Sequence, residues 1–488
     1  MQYPLHVAIC VLYLLALVAL GAWKARRVKG AEDFSLAGRG LGAWVLVGTL
    51  VATWIGTGSI FGNAEKTYEI GLPAFWIPVA GGLGILALIF LAGRIRRMEA
   101  VTIQDILEAR FGPLVRVLAT GALLGAYCII VSYQFRAGAG IVHYLAPDLP
   151  EVWAIRLVAL FVVLYTVLAG MLSVAYTDVA NGVLMLIGVL VALPLLYGKV
   201  GGWQGFEAHL PAAQADWFGY WTPLTLLGAL LPPFLLILGD ANMYQRFFSA
   251  RSAGGARRAA MGMFVGVLAM EALIIALAAL GAGLVRSGAL EAPAKPGHIL
   301  LHVAFHALPP FVGALLVATA VAVVVSTADS YLLAPATSLV RDIYQRFLRP
   351  GASERNLLRA SRLAVLALGA VAYGLAFTSD RFFEVALFAY SIYGCAITPV
   401  LLAALFLPQA TRLGATLALV LGAGVALVWQ MLGTFRGEWG WAGSLCDLLT
   451  FGGFDAVAKL DPVLVAFPLS ALALLTTARW GQRLPEPG

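Results

Sequence analysis

Ser326, Thr327, Asp329 and Ser330 interrupt GALLVATAVAVVVSTADSYLLAPATSL, an apolar run long enough to cross a bilayer. A carboxylate at that depth costs roughly 3 kcal/mol or more unless it faces water, a cation or a partner group. On a helix, Ser326, Asp329 and Ser330 share one face at i, i+3 and i+4, so their oxygens can converge. Oxygen-only ligands suit a hard cation such as sodium, whereas thiols and imidazoles suit softer metals. The competing reading has the hydroxyls bonding back to their own helix carbonyls, with Asp329 protonated or paired inside a bundle.

The element that carries this cluster is one of many like it. The chain has 488 residues, 61% hydrophobic and 12% charged, with mean hydropathy +0.90. Soluble domains carry about 25% charged residues, so this is a polytopic membrane protein. Windows of about 20 apolar residues place thirteen spans near 5–23, 42–66, 73–93, 115–146, 154–170, 173–199, 222–246, 258–286, 309–338, 360–379, 384–407, 412–433 and 461–479. The first has no basic residue before it and Lys24, Arg26, Arg27 and Lys29 after it, which reads as an anchor with its N-terminus outside and not a cleaved signal peptide.

From that orientation the inside loops hold most of the 32 basic residues: those four, Arg39, Arg94, Arg96, Arg97, Arg110, Arg116, Arg246, Arg251, Arg257, Arg258, Arg341, Arg346, Arg349, Arg355, Arg359, Arg362, Arg412, Arg479 and Arg483. The outside set is Arg156, Lys199, Arg286, Lys295, Arg381, Arg436 and Lys459. So lopsided a split follows the positive-inside rule and puts the C-terminus inside. The net charge of +7 therefore records topology, and no nucleic-acid partner is implied. Cys10, Cys128, Cys395 and Cys446 are scattered without CxxC spacing, which supports neither a disulfide framework nor a zinc site.

Two segments between spans have recognisable content. Thr102 to Asp105 opens a short inside helix with a capping-box pattern, ended by Gly112-Pro113. Segment 200–221, rich in glycine and aromatics, suits the outer interface. Within the spans, Trp54-Ile55-Gly56-Thr57-Gly58-Ser59 and Gly62-Asn63 put glycines and hydroxyls at the centre of the second, which can unwind there and offer backbone groups to a ligand. Close helix packing would explain a lone glycine pair equally well. Five spans later Pro232-Pro233 must disturb the helix, with Asp240 and Asn242 further on. Interrupted helices at corresponding positions are what an inverted-repeat transporter shows.

Ordered motifs resemble one family. GMLSVAYTD, Gly170 to Asp178, looks like the GGMxSVxxTDxxQ signature of the sodium/solute symporters, the family of the sodium-coupled glucose, proline and pantothenate transporters. DFSLAGRGLG (33–42), QRFFSA (245–250) and STADSYLLAPATSLVRDIY (326–344) also match, so the resemblance covers nearly the whole chain. It implies an all-α LeuT-type fold in a single transporter domain: 1–41 as an extra N-terminal helix and inside loop, 42–199 and 222–407 as inverted five-helix repeats, and 412–488 as two trailing helices. It also implies sodium-driven uptake of a small polar organic solute by alternating access. The expected partners are that solute, sodium ions and the lipid bilayer of the cell membrane, and the expected unit is a monomer.

In that family the shared sodium site uses carbonyls of the unwound first core helix and oxygens of the eighth. By position these are the carbonyls of Ala52, Ile55 and Val323 and the hydroxyls of Ser326 and Thr327. A second sodium site found in some members maps to Asp178, Ser326, Asp329 and Ser330. One sodium is expected, with a second sodium, or proton titration of one carboxylate, at the second site. Ala169 and Asn181 depart from the signature's first glycine and its glutamine. Trp54 and Gly58 stand where proline carriers place an Asp and a Trp, which counts against proline, and the sugar-binding pattern is not evident either.

The preferred solute is an amino or organic acid. Arg136, beside Tyr133 and Gln134, could hold a carboxylate in bidentate fashion, snorkel outward, or pair with Glu65 or Glu69. Thr57, Ser59, Phe234 and Tyr393 complete the candidate pocket by position, although plain packing explains the aromatic rings as well. His298, His302 and His306 share one helix face; metal ligation lacks facing partners, and an interfacial helix explains them. Glu271 has no assignable partner. A sugar or polyol symporter would use the same ion site, and so would a channel. An intramembrane enzyme would need a nucleophile and base or HExxH ligands, which do not occur together here. A sensor on the same scaffold would carry a cytoplasmic signalling domain.

Overall fold

A backbone in hydrocarbon must satisfy its own polar groups, and this apolar chain does so with helices. The computed structural model describes residues 3–26, 28, 30–379, 381–435 and 461–478. Arg27, Lys29, Arg436, Cys446, Lys459, Arg479 and Arg483 lie outside the described residues. The main helices are α1 (Pro4–Ala25), α2 (Ala43–Trp54), α3 (Gly58–Ile70), α4 (Ile77–Arg97), α5 (Ile103–Phe111), α6 (Pro113–Leu145), α7 (Glu151–Val200) and α8 (Pro223–Gly239). They continue with α9 (Ala241–Phe248), α10 (Ala253–Arg286), α11 (Ile299–His306), α12 (Pro310–Ser338), α13 (Glu354–Leu375), α14 (Phe382–Phe406), α15 (Arg412–Phe435) and α16 (Val463–Ala478).

Among the described residues ten helical stretches are long and apolar enough to cross a bilayer, or eleven when α2 and α3, bent by 51°, count as one broken span. The 50-residue α7 covers the two spans expected at 154–170 and 173–199, with a break at Gly170 where φ is 68° and ψ 170°. Only glycine adopts that backbone readily, and an added Cβ would meet Phe34 Cδ2 at 2.9 Å. The last expected span corresponds to the shorter apolar α16.

α12 forms the centre: 78% of its most apolar stretch is buried, against 22% for the peripheral α1. It packs on α7, α6 and α1, while α10 lies along α4 and α8 along α14. At one end of the bundle, the capping box of α5 forms as the sequence suggests, with Thr102 Oγ1 accepting from the Asp105 amide at 3.2 Å. Arg116, expected in a loop, is buried and ion-pairs with Asp105 at 2.6 Å, with Glu108, and with Asp342 beyond the end of α12. Burial opposes ionisation of Glu108, but hydrogen bonds from Arg116 and Arg346 outweigh it and hold the carboxyl below its usual range.

Pro232 and Pro233 do not break their helix. α8 runs through both, and the interruption falls further on at Asp240. Neighbouring helices supply donors to the carbonyls near the break: Thr398 Oγ1 to Leu235 at 2.6 Å, Tyr244 Oη to Leu238 at 3.1 Å and Tyr393 Oη to Gly239 at 2.7 Å.

The strain at Gly170 yields a direct expectation. Gly170→Ala, at roughly 1–3 kcal/mol, lowers the thermal midpoint of the purified protein, while Gly125→Ala, whose Cβ would meet nothing within 4 Å, leaves it in place. Equal midpoints for the two variants would contradict the account of this break.

Candidate functional site

The break between α2 and α3 leaves carbonyls at the end of α2 without partners in their own helix. α12 faces them. Ser326 Oγ donates to the Ala52 carbonyl at 3.1 Å and lies 3.2 Å from that of Val323, and Thr327 Oγ1 donates to the Ile55 carbonyl at 3.5 Å. All five residues are buried. Three carbonyls and two hydroxyls thus meet where the helix is interrupted, a donor set that suits a hard monovalent cation. Hydroxyls that now donate to these carbonyls can turn their lone pairs toward such an ion. Gly56 leaves room for this approach, since a Cβ there would meet the Thr327 side chain at 3.1 Å.

Asp178, Asp329 and Ser330 form an adjoining cluster that includes Arg246, a residue the sequence pattern assigns to an inside loop. Arg246 is fully buried and not in a loop. Its Nη2 reaches Asp178 Oδ2 at 3.1 Å and Ser330 Oγ at 2.7 Å, and its Nε donates to Thr49 Oγ1 at 2.9 Å. Thr49 in turn donates to Asp178 Oδ2 at 2.6 Å, and Ser330 Oγ donates to Asp329 Oδ1 at 3.2 Å. Among the described residues Asp178 Oδ1 and Asp329 Oδ2 have no hydrogen-bond partner. One guanidinium therefore pairs with Asp178 directly and reaches Asp329 through the Ser330 hydroxyl, while the hydroxyl of Ser326 is turned to the carbonyl site. The signal for Arg246 lay in QRFFSA, hidden by the flanking Arg251, Arg257 and Arg258.

The solute candidates separate into groups. Ser59 lines a small cavity beside the break, with Trp54, Asn63, Pro233, Glu271 and Tyr390. Tyr133 Oη lies 3.4 Å from Tyr390 Oη, next to this cavity, and Gln134 is buried beside it in α6. Thr57 Oγ1 is buried without a partner among the described residues. Phe234 is half-buried and its neighbour Pro233 takes the lining position. Tyr393 joins Tyr127 around Asp240, which caps α9 and accepts from Tyr127 and Tyr331 at 3.0 and 2.9 Å.

Arg136 points elsewhere: it donates to the Ala376 carbonyl at 2.9 Å, pairs with Glu151 at 3.4 Å and lines a separate outer cavity. Glu271 gains partners in Ser59 and Asn63, at 2.6 and 2.9 Å. The rings of His302 and His306 lie 4.5 Å apart, and His298 packs on Phe61 and Phe382. No cluster of three metal-ligating side chains occurs among the described residues.

Comparison with known proteins fits this architecture. Residues 34–422 match the model of the sodium:solute symporter family, and the chain belongs to that family. It is 27% identical over 437 residues to the high-affinity proline transporter PutP of Bacillus subtilis, covering 86% of this chain and 90% of that one. It is also 27% identical over 453 residues to the sodium/proline symporter of Haemophilus influenzae, covering 88% of each. A Na+-coupled sialic acid symporter in a substrate-bound outward-open state shares the fold with TM-score 0.80 and 19% identity over 99% of both chains. A nucleobase-cation-symport-1 family transporter in a closed conformation gives TM-score 0.58 at 12% identity, covering 93% of this chain and 96% of that one. The protein is thus a multi-pass transporter of the plasma membrane with a LeuT-type fold, not an enzyme, and it couples a small solute to sodium.

Two expectations follow from the geometry. Ser326→Ala or Thr327→Ala removes one of the two hydroxyls and is expected to raise the sodium concentration for half-maximal uptake by ~10-fold or more with expression intact; unchanged sodium dependence would count against sodium binding at these carbonyls. Arg246→Leu strands the buried Asp178 carboxylate, a loss of roughly 3–5 kcal/mol, and lowers the yield of folded protein. Adding Asp178→Asn recovers part of that yield, and no recovery would mean the two side chains do not act on one another.

Proposed function

We propose that this protein imports a small polar organic solute by alternating access, driven by sodium held between the broken helix and α12. The observation that carries the reading is the approach of Ser326 and Thr327 to the Ala52 and Ile55 carbonyls at 3.1 and 3.5 Å. Val323 completes the proposed ligands. An amino or organic acid is preferred over a sugar or polyol. The names of the curated relatives bring proline back among the first solutes to test, against the departures at Trp54 and Gly58. The proposed unit is a monomer with thirteen crossings, N-terminus outside and C-terminus inside, in which 42–199 and 222–407 form inverted repeats flanked by 1–41 and 412–488.

Charge balance supports a second cation. Ionised together, Asp178 and Asp329 would set two negative charges against the single positive charge of Arg246. Buried charge needs compensation. A second sodium, or a proton, beside Asp178 Oδ1 and Asp329 Oδ2 would supply it; Asp329 and Ser330, with Asp178, are its proposed ligands, and Ser326 belongs to the first site.

Proteoliposomes test both parts together. An imposed sodium gradient alone is expected to drive uphill uptake, and downhill-only flux would make the protein a channel. Reversal potentials are expected to fall by one sodium per solute in Asp178→Asn, since that variant needs one cation fewer. An unchanged stoichiometry would assign Asp178 to structure.

A further inference from the structure

Glu271 of α10 is 3% exposed and lies against the first turns of α3. Its oxygens accept from Ser59 Oγ at 2.6 Å and Asn63 Nδ2 at 2.9 Å. These two neutral donors fix the carboxylate without cancelling its charge, and no Lys, Arg or His ion-pairs with it among the described residues. A glutamine would join the same helices without the penalty of a buried charge. The carboxylate therefore points to a positive partner that the chain itself does not provide.

The space beside it fits such a partner. Glu271 lines a cavity of about 50 Å³ together with Trp54, Ser59, Phe383 and Tyr390, at the break that also bears the proposed sodium ligands. Ligand pockets generally run to ~300–1,000 Å³, so this one is closed down and must widen to admit a solute. A carboxylate that shares a cavity with aromatic rings favours an organic cation, by direct ion pairing and by cation–π attraction. Lys66, on the same helix α3, is engaged by Glu69 at 2.8 Å and is not available to Glu271.

We propose that Glu271 receives a positively charged nitrogen of the transported solute, which makes the cargo an organic ammonium compound, zwitterionic amino acids and betaines included, and excludes neutral sugars and polyols. The assignment rests on the reading of this break as the transport site. It leaves the sodium ligands on α12 untouched.

The test is a thermal-shift screen of the purified protein in lipid nanodiscs, with and without sodium. Its probes are L-amino acids, L-proline among them, betaines, the matching amine-free hydroxy and keto acids, glucose and myo-inositol. Only probes with a cationic nitrogen are expected to stabilise the protein. In Glu271→Gln the best binder is expected to weaken roughly ten- to a hundredfold, while the shift produced by sodium alone is unchanged. Should that variant fail to fold, Glu271→Asp keeps the charge and is expected to retain the amine preference at reduced affinity. Strongest stabilisation by a sugar, polyol or amine-free acid, silence from every amine, or full affinity in Glu271→Gln would overturn the assignment. Amine binding that ignores sodium in the wild type would overturn sodium coupling and leave the role of Glu271 standing.

Discussion

Interrupting a helix inside a membrane exposes carbonyls that hydrocarbon cannot satisfy, and much of this molecule is arranged around that fact. The last turn of α2 ends at Trp54, and the chain resumes as helix only at Gly58 with a bend of 51°. The carbonyls set free at Ala52 and Ile55 are met by hydroxyls of α12, the most deeply buried of the long helices. A hydroxyl can serve as donor to a carbonyl or as ligand to an ion that the carbonyl also binds. In the proposed sodium site the same five groups would close on one another when it is empty and coordinate the ion when it is filled.

Charge placement adds a second layer. Arg246 stands between Asp178 and Ser330, so a fixed cation already occupies part of the space that sequence position had allotted to sodium ligands. Two buried carboxyl groups, Asp178 directly and Asp329 through Ser330, face this one cation. On the opposite side of the break, Glu271 is held by Ser59 and Asn63. The interrupted helix therefore contributes both carbonyls toward the proposed cation site and hydrogen-bond donors to a carboxylate. Opening or closing α3 would move the carboxylate's donors relative to α2, and on the proposed reading this would couple solute and ion through one short segment of backbone.

Much of this was legible in the residues. Glycines at 56 and 58 and a Thr102 cap each carry a local signature, and each forms the local structure that it suggests, whereas the oxygens of Ser326 and of Asp329 and Ser330 turn to different partners instead of one point. What the residues could not show depends on distant partners. Glu271 meets side chains 208 and 212 positions earlier in the chain. Arg246 resembled its loop neighbours because periodicity says nothing about where a short helix packs. Pro232 and Pro233 suggested a break that occurs at Asp240, since a bundle interior can satisfy the groups that proline frees. Arg136, chosen for its charge, turns instead to Glu151 and the Ala376 carbonyl.

The central claim is that sodium binds where α12 meets the broken helix. Equilibrium binding of radioactive sodium to the purified protein measures this directly. The account predicts saturable binding without solute, resistant to excess potassium, and lost from the first site when Ser326 and Thr327 are both replaced by alanine. Binding of unchanged affinity and amount in that double variant would contradict it.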